Sequence, residues 1–529
     1  MLIGQALKRC AVNYPNKLAI RDEYGKYFQG ANSYTFGQLD LAVNRLANSL
    51  LALGLRRGDR VMVQTGTGLG HALSLLALTR AGMAIAPLDR TYMGPEIVYQ
   101  VNDSGAKAFI ADADIYQEKL ASLRKELPQV ESFITIGQSL QGCHRFEDLL
   151  RDGSEDDPEM AVTESDIATL IYTSGTTGRP KGVPLTHRNW TFSACMWAAE
   201  LGIHPYTRWL LLLPMHTSGG TGLTLASVIR GCSLIICPPA AERILTLISQ
   251  ERITFTQFSP TLLANVIHHP KAAETDFSSL EHWFTSAAPI SASLLAEGAK
   301  HLGEKFIQLY GTTETALLGT VLRPQEVALE GEGAERLTSI GRACLGYRTK
   351  VVDVLGNGVG PGGEGELAIS GEAVAAGYWN KPEADDFRDG WWHSGDVVRI
   401  DEQGFYYVID RKKDMVVTGG LNVYPREVED VVASHPAVHL VCVIGVPDEK
   451  WGEAVKAVIA LKDGCQATEE EIIEFCKERM ASYKKPKSVD FIEASQMPTS
   501  GGGYKILRRV LRDRYRQDAA KGDKSWGAV

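Results

Sequence analysis

No stretch of about eighteen uncharged apolar residues occurs, the length a helix needs to cross a bilayer, so no integral membrane span is expected. No C-x-x-C pair occurs either. The cysteines, Cys10, Cys143, Cys195, Cys232, Cys237, Cys344, Cys442, Cys465 and Cys476, are scattered and odd in number. That argues for ordinary thiols in a reducing compartment, and against a disulfide framework or a cysteine-ligated zinc. An excess of positive charge is absent: 55 Lys and Arg face 64 Asp and Glu, a net charge of −9. Nucleic acid is therefore not an expected partner. The opening MLIGQALKRCAVNYPNKLAI lacks a basic segment followed by a long apolar one, and reads as a short amphipathic helix, not a signal peptide. The closing GAV is not a peroxisomal address. A cytoplasmic location is the expectation.

The 529 residues suffice for two or three domains, and 44% hydrophobic against 22% charged residues is a globular balance. FGQLDLAVNRLANSLLALGLRRGDRVMVQTG shows an apolar helix period, a glycine stop, a turn and a strand. GLGHALSLLALTRAGMAIAPLD, ERILTLISQERITFTQFSP and LLAEGAKHLGEKFIQLYG repeat the unit, which predicts parallel α/β layers. From about residue 338 to 410 short strands alternate with glycine turns, predicting a mostly antiparallel region. After DRKKD the chain turns α+β again, so a boundary is expected near residues 410–413. No internal repeat or low-complexity tract is seen.

The run TSGTTGRPKG follows the apolar IATLIY. Consecutive Gly, Ser and Thr after a strand can turn several backbone N–H groups into one concavity, a nest for an anion such as phosphate. The hydroxyls add donors and Lys181 adds a point charge. The spacing is not that of a Walker A loop, because Pro180 follows where Gly-Lys-Ser/Thr is required.

In its full extent, YTSGTTGRPKGVPLTHRN resembles the phosphate-loop signature of the AMP-forming adenylating superfamily, which includes acyl- and aryl-CoA synthetases, peptide-synthetase adenylation domains and beetle luciferase. LPMHTSGG (213–220), TSAAPIS (285–291), QLYGTTET (308–315), WWHSGDVVRID (391–401) and DRKKDMVVTGGLNVYPREVE (410–429) follow in that family's order. The resemblance covers essentially the whole chain. It implies an α/β fold: a large N-terminal domain, residues 1–410, of parallel layers plus an antiparallel β region, and a small mobile α+β domain, residues 411–529, carrying a catalytic lysine and the CoA side.

It also implies roles. Thr173, Ser174, Gly175, Thr176, Thr177, Gly178 and Lys181 would hold ATP phosphates. Ala287, Ala288, Pro289, Leu309, Gly311 and Thr312 would line the nucleotide site. Gln308 offers a carboxamide to the adenine edge and Tyr310 a ring to stack on the base. Thr313 would meet the α-phosphate and Glu314 would hold Mg2+, a single carboxylate plus phosphates being a normal magnesium set. Asp396 would accept from the ribose hydroxyls, with Arg411 as second contact and Lys413 as hinge. In MPTSGGGYKILRRVLRDR, Lys505 matches the lysine that bridges substrate carboxylate and α-phosphate, although one extra residue separates it from Pro498 and Tyr504 replaces the usual glycine.

For the acceptor, Trp451 and Tyr483 match aromatics that flank the CoA adenine, Lys485 and Lys487 would meet its phosphates, and Gly419 and Gly420 would let a pantetheine arm pass. For the acid, the lining implied is Trp197, His216, Ser218, Gly219, Ser286, Ala287, Gly311 and Leu317, with His216 also counted as catalytic. No Lys or Arg is among these, nor is there the Asp with which amino-acid-activating members pair an α-ammonium. The expected reaction takes an apolar fatty, alicyclic or aryl acid, ATP and coenzyme A to acyl-CoA, AMP and pyrophosphate. The alternatives are an enzyme that loads a carrier-protein phosphopantetheine, and a luciferase-like oxygenase or a nucleotide-binding protein without turnover. A homodimer is left open.

Overall fold

The computed structural model of the chain describes residues 1–25, 28, 31–173, 180–285, 290–412, 414–418, 421–448, 450–499 and 506–521. The expected helix–strand units form for local reasons. Thr35 caps the helix Phe36–Ala52: its hydroxyl accepts from the Gln38 N–H at 3.3 Å, and Gln38 Oε1 accepts from the Thr35 N–H at 3.0 Å. Gly54, at φ +94°, turns the chain toward the strand Arg60–Gln64. The helix Leu69–Arg80 is buried along its whole length, as its all-round apolar sequence requires. It returns to the strand Ala84–Pro87, buried on both faces in the manner of a central parallel strand.

By contact the chain divides into two compact units. One comprises Met1–Ser286, Ala292–Thr349 and Ile369–Trp392; the other comprises Ala287–Ser291, Lys350–Ala368 and His393–Val529. The first holds a seven-stranded sheet in the order His144–Arg145, Ser132–Ile136, Ala108–Asp112, Arg60–Gln64, Ala84–Pro87, Ile167–Thr173, Lys181–Thr186. It also holds a nine-stranded sheet centred on Ser233–Ile236, Arg208–Leu211, Phe255–Phe258, His282–Thr285 and Phe306–Tyr310. The centres of both sheets are parallel, as the alternation predicts. Their edges are not: Leu18–Asp22 with Ser33–Thr35, Ile167–Thr173 with Lys181–Thr186, and Phe306–Tyr310 with Thr320–Leu322 are antiparallel. The connections at these edges are shorter than the dozen or so residues a parallel crossover needs, so the chain turns back as hairpins.

Within residues 347–411 six strands form a sheet with antiparallel pairs, as expected from the glycine-punctuated sequence. In the second unit, a five-stranded sheet built on Val438–Asp448 and Gly452–Leu461 buries Val416, Val443, Val455 and Ile459 against Val428 and Val432 of the helix Pro425–Ala433 and Ile472 and Cys476 of Glu469–Lys477. The helix Arg508–Lys521 adds Leu511 to Cys442, Ile444 and Val458. At its start Arg508 gathers three carboxylates: Glu429 bidentately at 2.8 and 2.7 Å, Asp414 at 3.1 Å and Asp410 at 3.4 Å. All nine cysteines are free thiols, and only Cys195 and Cys465 are exposed. No described helix is long and apolar enough to cross a membrane.

Asp112 ends a central strand of the first unit and is 2% exposed. Its Oδ2 accepts from the Gly66 N–H at 2.6 Å and pairs with Arg90, while Oδ1 is buried without a hydrogen-bond partner. Burial pushes this carboxyl up to about 6, against the lowering influence of the Gly66 N–H and Arg90. Because the folded value lies above the unfolded one, near 4, this group's contribution to stability is fully present below about pH 4 and is lost as pH rises through about 6. In Asp112→Asn that loss disappears. Unfolding curves at pH 4 and 7 should show the wild type losing about 3 kcal/mol more than the variant over this span; parallel pH profiles would exclude the assignment.

Candidate active site

The phosphate-loop sequence is framed by two strands of the first unit. Thr173 ends one and Lys181 begins the next, and the two are register partners in the antiparallel pair. Thr173 Oγ1 donates to the Lys181 carbonyl at 3.4 Å. Ser174–Gly178, Ser286–Pro289, Lys413, Gly419, Gly420 and Lys505 lie outside the described residues. Beside the frame, the Trp379 N–H donates to the Gly182 carbonyl at 2.8 Å, which ties the segment around 378 to the strand that Lys181 opens.

Glu314 sits on the short 3-10 turn Thr313–Thr315 that follows the strand Phe306–Tyr310. It is 7% exposed. The Tyr378 hydroxyl donates to Glu314 Oε1 at 2.9 Å, and the Ala375 N–H donates to the Glu314 carbonyl at 2.8 Å. Lys181 Nζ lies 4.5 Å from the Tyr378 ring centroid and 2.5 Å from Asp386 Oδ2. Burial, then the charges of Glu314 and Asp386, hold the Tyr378 phenol well above its ordinary range, so it remains a donor. Glu314 Oε2 has no hydrogen-bond partner among the described residues. One hard oxygen is thus available to a hard cation such as Mg2+, which takes one or two carboxylates when phosphates and waters complete its shell. No group of three or more His, Cys, Asp or Glu side chains stands ready, among the described residues, to hold a metal by itself.

The turn beyond Glu314 is strained. Ala316 and Leu317 both have positive φ, +48° and +78°, an uncommon region for residues with a Cβ. It is held by Ser193 Oγ donating to the Ala316 carbonyl at 2.7 Å, Tyr347 Oη to the Thr315 carbonyl at 3.0 Å, and the Leu317 N–H to the Thr312 carbonyl at 2.9 Å. Thr313 Oγ1 donates to Ser218 Oγ at 2.9 Å, linking the expected α-phosphate contact to the expected acid side. Gln308, Leu309 and Tyr310 end the strand that precedes the turn, at the carboxyl edge of the parallel strands where open α/β sheets bind ligands. Gln308 Oε1 accepts from Thr285 Oγ1 at 3.4 Å.

On the acid side, Thr217 caps the helix Ser218–Arg230, and Gly220 sits where an added Cβ would lie 2.1 Å from the Pro214 carbonyl oxygen. His216 Nε2 is 3.3 Å from Asp89 Oδ2. Burial pushes the Asp89 carboxyl up, but His216 and the Thr91 N–H and hydroxyl outweigh it and hold the group well below the usual carboxylate range. Trp197 is built into an aromatic layer with Trp209 at 5.9 Å and Phe284 at 5.5 Å between ring centroids. Leu317 approaches Gly222 so closely that a Cβ there would lie 2.4 Å from its Cδ1.

In the second unit, Asp396 and Arg411 are cross-strand partners, with Arg411 Nε 3.0 Å from Asp396 Oδ1. Trp451 and Tyr483 are 41% and 37% exposed, unusual for large aromatics. Lys450 and Lys487 lie 4.7 and 5.8 Å from the Trp451 ring. Burial, then Lys487 and Lys477, push the Lys485 ammonium down, so these cations crowd one another. Tyr378, Asp386 and Asp89 escape the sequence reading. Each reaches its partner from far along the chain, and none stands in a stretch with a local signature.

The family model described as "AMP-binding enzyme" matches residues 7–379, and that of the "AMP-binding enzyme C-terminal domain" matches residues 427–502. A feruloyl-CoA synthase of Amycolatopsis sp is 35% identical over 493 residues, covering 92% of this chain and 95% of the relative. The medium/long-chain-fatty-acid–CoA ligase FadD8 of Mycobacterium tuberculosis is 35% identical over 511 residues, covering 91% and 88%. Among solved structures, the anthranilate CoA ligase AuaEII in complex with anthranoyl-AMP superposes with a TM-score of 0.87 at 28% identity, covering 98% of each chain.

The site's backbone leaves no room at Gly311, where a Cβ would lie 2.0 Å from the Leu317 carbonyl oxygen. Gly311→Ala must displace the strained turn that carries Thr313 and Glu314. It should lower stability by about 1–3 kcal/mol in chemical denaturation. A wild-type unfolding curve would mean that the turn yields without cost.

Proposed function

The chain belongs to the AMP-binding enzymes, and on that footing we propose that it is an AMP-forming acid–thiol ligase converting an apolar carboxylic acid, ATP and coenzyme A to acyl-CoA, AMP and pyrophosphate. The observation that carries this reading is the set Lys181, Tyr378 and Glu314 on the frame of the phosphate loop, one hydroxyl away from Ser218 on the acid side.

In the first half-reaction an oxygen of the substrate carboxylate attacks the α-phosphorus. The new O–P bond forms as the bond to the β-phosphate oxygen breaks, and pyrophosphate leaves. Two anions must approach, so oriented donors and cations lower the barrier. Lys181 and the loop donors hold the phosphates, Thr313 the α-phosphate, and Lys505 bridges carboxylate and α-phosphate. Glu314 would hold Mg2+, whose chemistry is to neutralise phosphate charge. Gln308 and Tyr310 serve the adenine; Asp396, paired with Arg411, serves the ribose. In the second half-reaction the CoA sulfur bonds to the acyl carbon as the acyl carbon–oxygen bond of the mixed anhydride breaks; AMP departs with that bridging oxygen, which came from the substrate carboxylate, and the thiol proton passes to solvent. The exposed Trp451 and Tyr483 with Lys485 and Lys487 suit a nucleotide that carries phosphates, which favours coenzyme A over a carrier-bound arm.

The acid side offers aromatic and aliphatic surface, with no Lys or Arg among its assigned residues, so fatty, alicyclic and aryl acids are the substrate classes and dicarboxylates are not. With a panel of such acids, ATP and Mg2+, AMP and acyl-CoA should accumulate only when CoA is added. Release of pyrophosphate with no CoA-dependent product, but with acylation of a phosphopantetheinyl carrier, would overturn the acceptor; no acid-dependent pyrophosphate at all would overturn the reading.

Two variants separate the half-reactions. Lys505→Ala should reduce acid-dependent pyrophosphate release by about 100-fold or more, the scale of losing one charged transition-state contact, and leave thioester formation from supplied acyl-AMP within a few-fold. Equal loss in both would remove Lys505 from adenylation. Trp451→Ala should raise KM for CoA by about tenfold and leave pyrophosphate release unchanged. An unaltered KM would take Trp451 out of the CoA grip.

A further inference from the structure

The two charged groups assigned to the phosphates and the metal meet on one side chain, Tyr378, to which the half-reactions above give no part. Tyr378 donates its O–H to Glu314 Oε1 at 2.9 Å, and its ring lies 4.5 Å beneath the Lys181 ammonium. Asp386 takes the ammonium at 2.5 Å. All four residues belong to the first compact unit. The Tyr378 ring is also packed edge-on against Phe387, with centroids 5.1 Å apart, so the phenol is held in place from a second direction.

A carboxylate on a short turn can rotate about its last bonds and offer either oxygen to a cation. A phenol fixed by ring packing removes that freedom: with Oε1 tied, Oε2 alone is presented, in one orientation. The cation above the ring is attracted to its face. Charge-assisted hydrogen bonds of this kind are about twice as strong as neutral ones.

We propose that Tyr378 is a positioning residue for metal-dependent nucleotide binding: its hydroxyl fixes Glu314 so that one oxygen faces the divalent cation, and its ring seats Lys181 beside the phosphates that the cation would neutralise. The inference rests on the proposed function, but its test separates the two.

The test is equilibrium calorimetry of ATP binding across a Mg2+ titration, with AMP binding in the absence of metal as the control. Tyr378→Phe deletes one oxygen and keeps the packed ring. It should raise the Mg2+ concentration for half-maximal ATP binding by about tenfold, the size expected for losing a hydrogen bond to a charged group, and leave AMP affinity within about twofold. In a Glu314→Gln background the same change should add less than about twofold, because the carboxylate it orients is gone. An unchanged Mg2+ requirement overturns the proposal. So does an equal loss of AMP affinity, which would mark a merely structural role, or a full tenfold effect in the Glu314→Gln background. If the wild type binds ATP and AMP while these shifts are missing, only the role of Tyr378 falls. If it binds neither, the proposed function falls with it.

Discussion

A carboxylate withdrawn from water costs several kcal/mol unless a partner meets it, and the functional geometry of this chain is organised around that constraint. Glu314 is met by Tyr378, Asp89 by His216 and Thr91, Asp396 by Arg411, and Asp410 with Asp414 and Glu429 by Arg508. Glu314, on its turn, and Asp410, near a strand end, are met from other elements, while Asp396 lies within a strand and is met by its cross-strand partner. The pairing therefore fixes more than charge. It clamps the turn after Phe306–Tyr310 to the segment around residue 378, and it fastens the start of the helix Arg508–Lys521 to the residues on both sides of position 413. An arrangement of this kind is preorganised: the orientation of donors and acceptors is set by folding, and little reorganisation remains when a charged ligand enters.

Backbone proximity does the complementary work. Gly311 and Gly220 allow main chain to approach main chain where a methyl group has no space. The strained pair Ala316 and Leu317 then redirects the chain directly after Glu314. Strain persists only where surrounding contacts over-determine it, and here Ser193, Tyr347 and the Thr312 carbonyl supply them. The turn is consequently stiff at the point where Glu314 and Thr313, the proposed metal and α-phosphate contacts, would have to keep a fixed relation.

Much of this was legible in the sequence, and the remainder was illegible for physical reasons. Period 3.6 stretches ending at glycine, followed by short buried runs, located the units from Phe36–Ala52 to Phe306–Tyr310, because helix amphipathicity and strand burial are local properties. TSGTTGRPKG could be read as an anion nest because its donors are contiguous, though Ser174–Arg179 lie outside the described residues. The antiparallel edges were not, since alternation speaks to the centre of a sheet and edge direction depends on connection length. Tyr378, Asp386 and Asp89 were not legible because pairing across 64, 205 and 127 residues (378 − 314, 386 − 181, 216 − 89) leaves no trace in local composition. Residue type alone could name Glu314 as a candidate; only the fold could say what holds it.

The acid side shows the limit of such pairing logic and what replaces it. Trp197, Trp209 and Phe284 form an aromatic layer, Leu317 and Trp190 each close on Gly222, and the hydroxyl of Ser218 is already engaged by Thr313. On the proposed reading, with no Lys or Arg among the assigned residues to read a second substrate charge, selection among acids comes from volume and shape. A methylene more or less in an apolar pocket changes transition-state binding by only about 1–3 kcal/mol, so on that reading neighbouring homologues would be comparable substrates. An acid bearing a buried polar substituent is different, because without a partner that group carries its own desolvation cost of about 1–3 kcal/mol. On the proposed reading, the desolvation cost that Glu314 and Asp89 escape through their partners would also act on the substrate, favouring acids whose only charge is the carboxylate presented for activation.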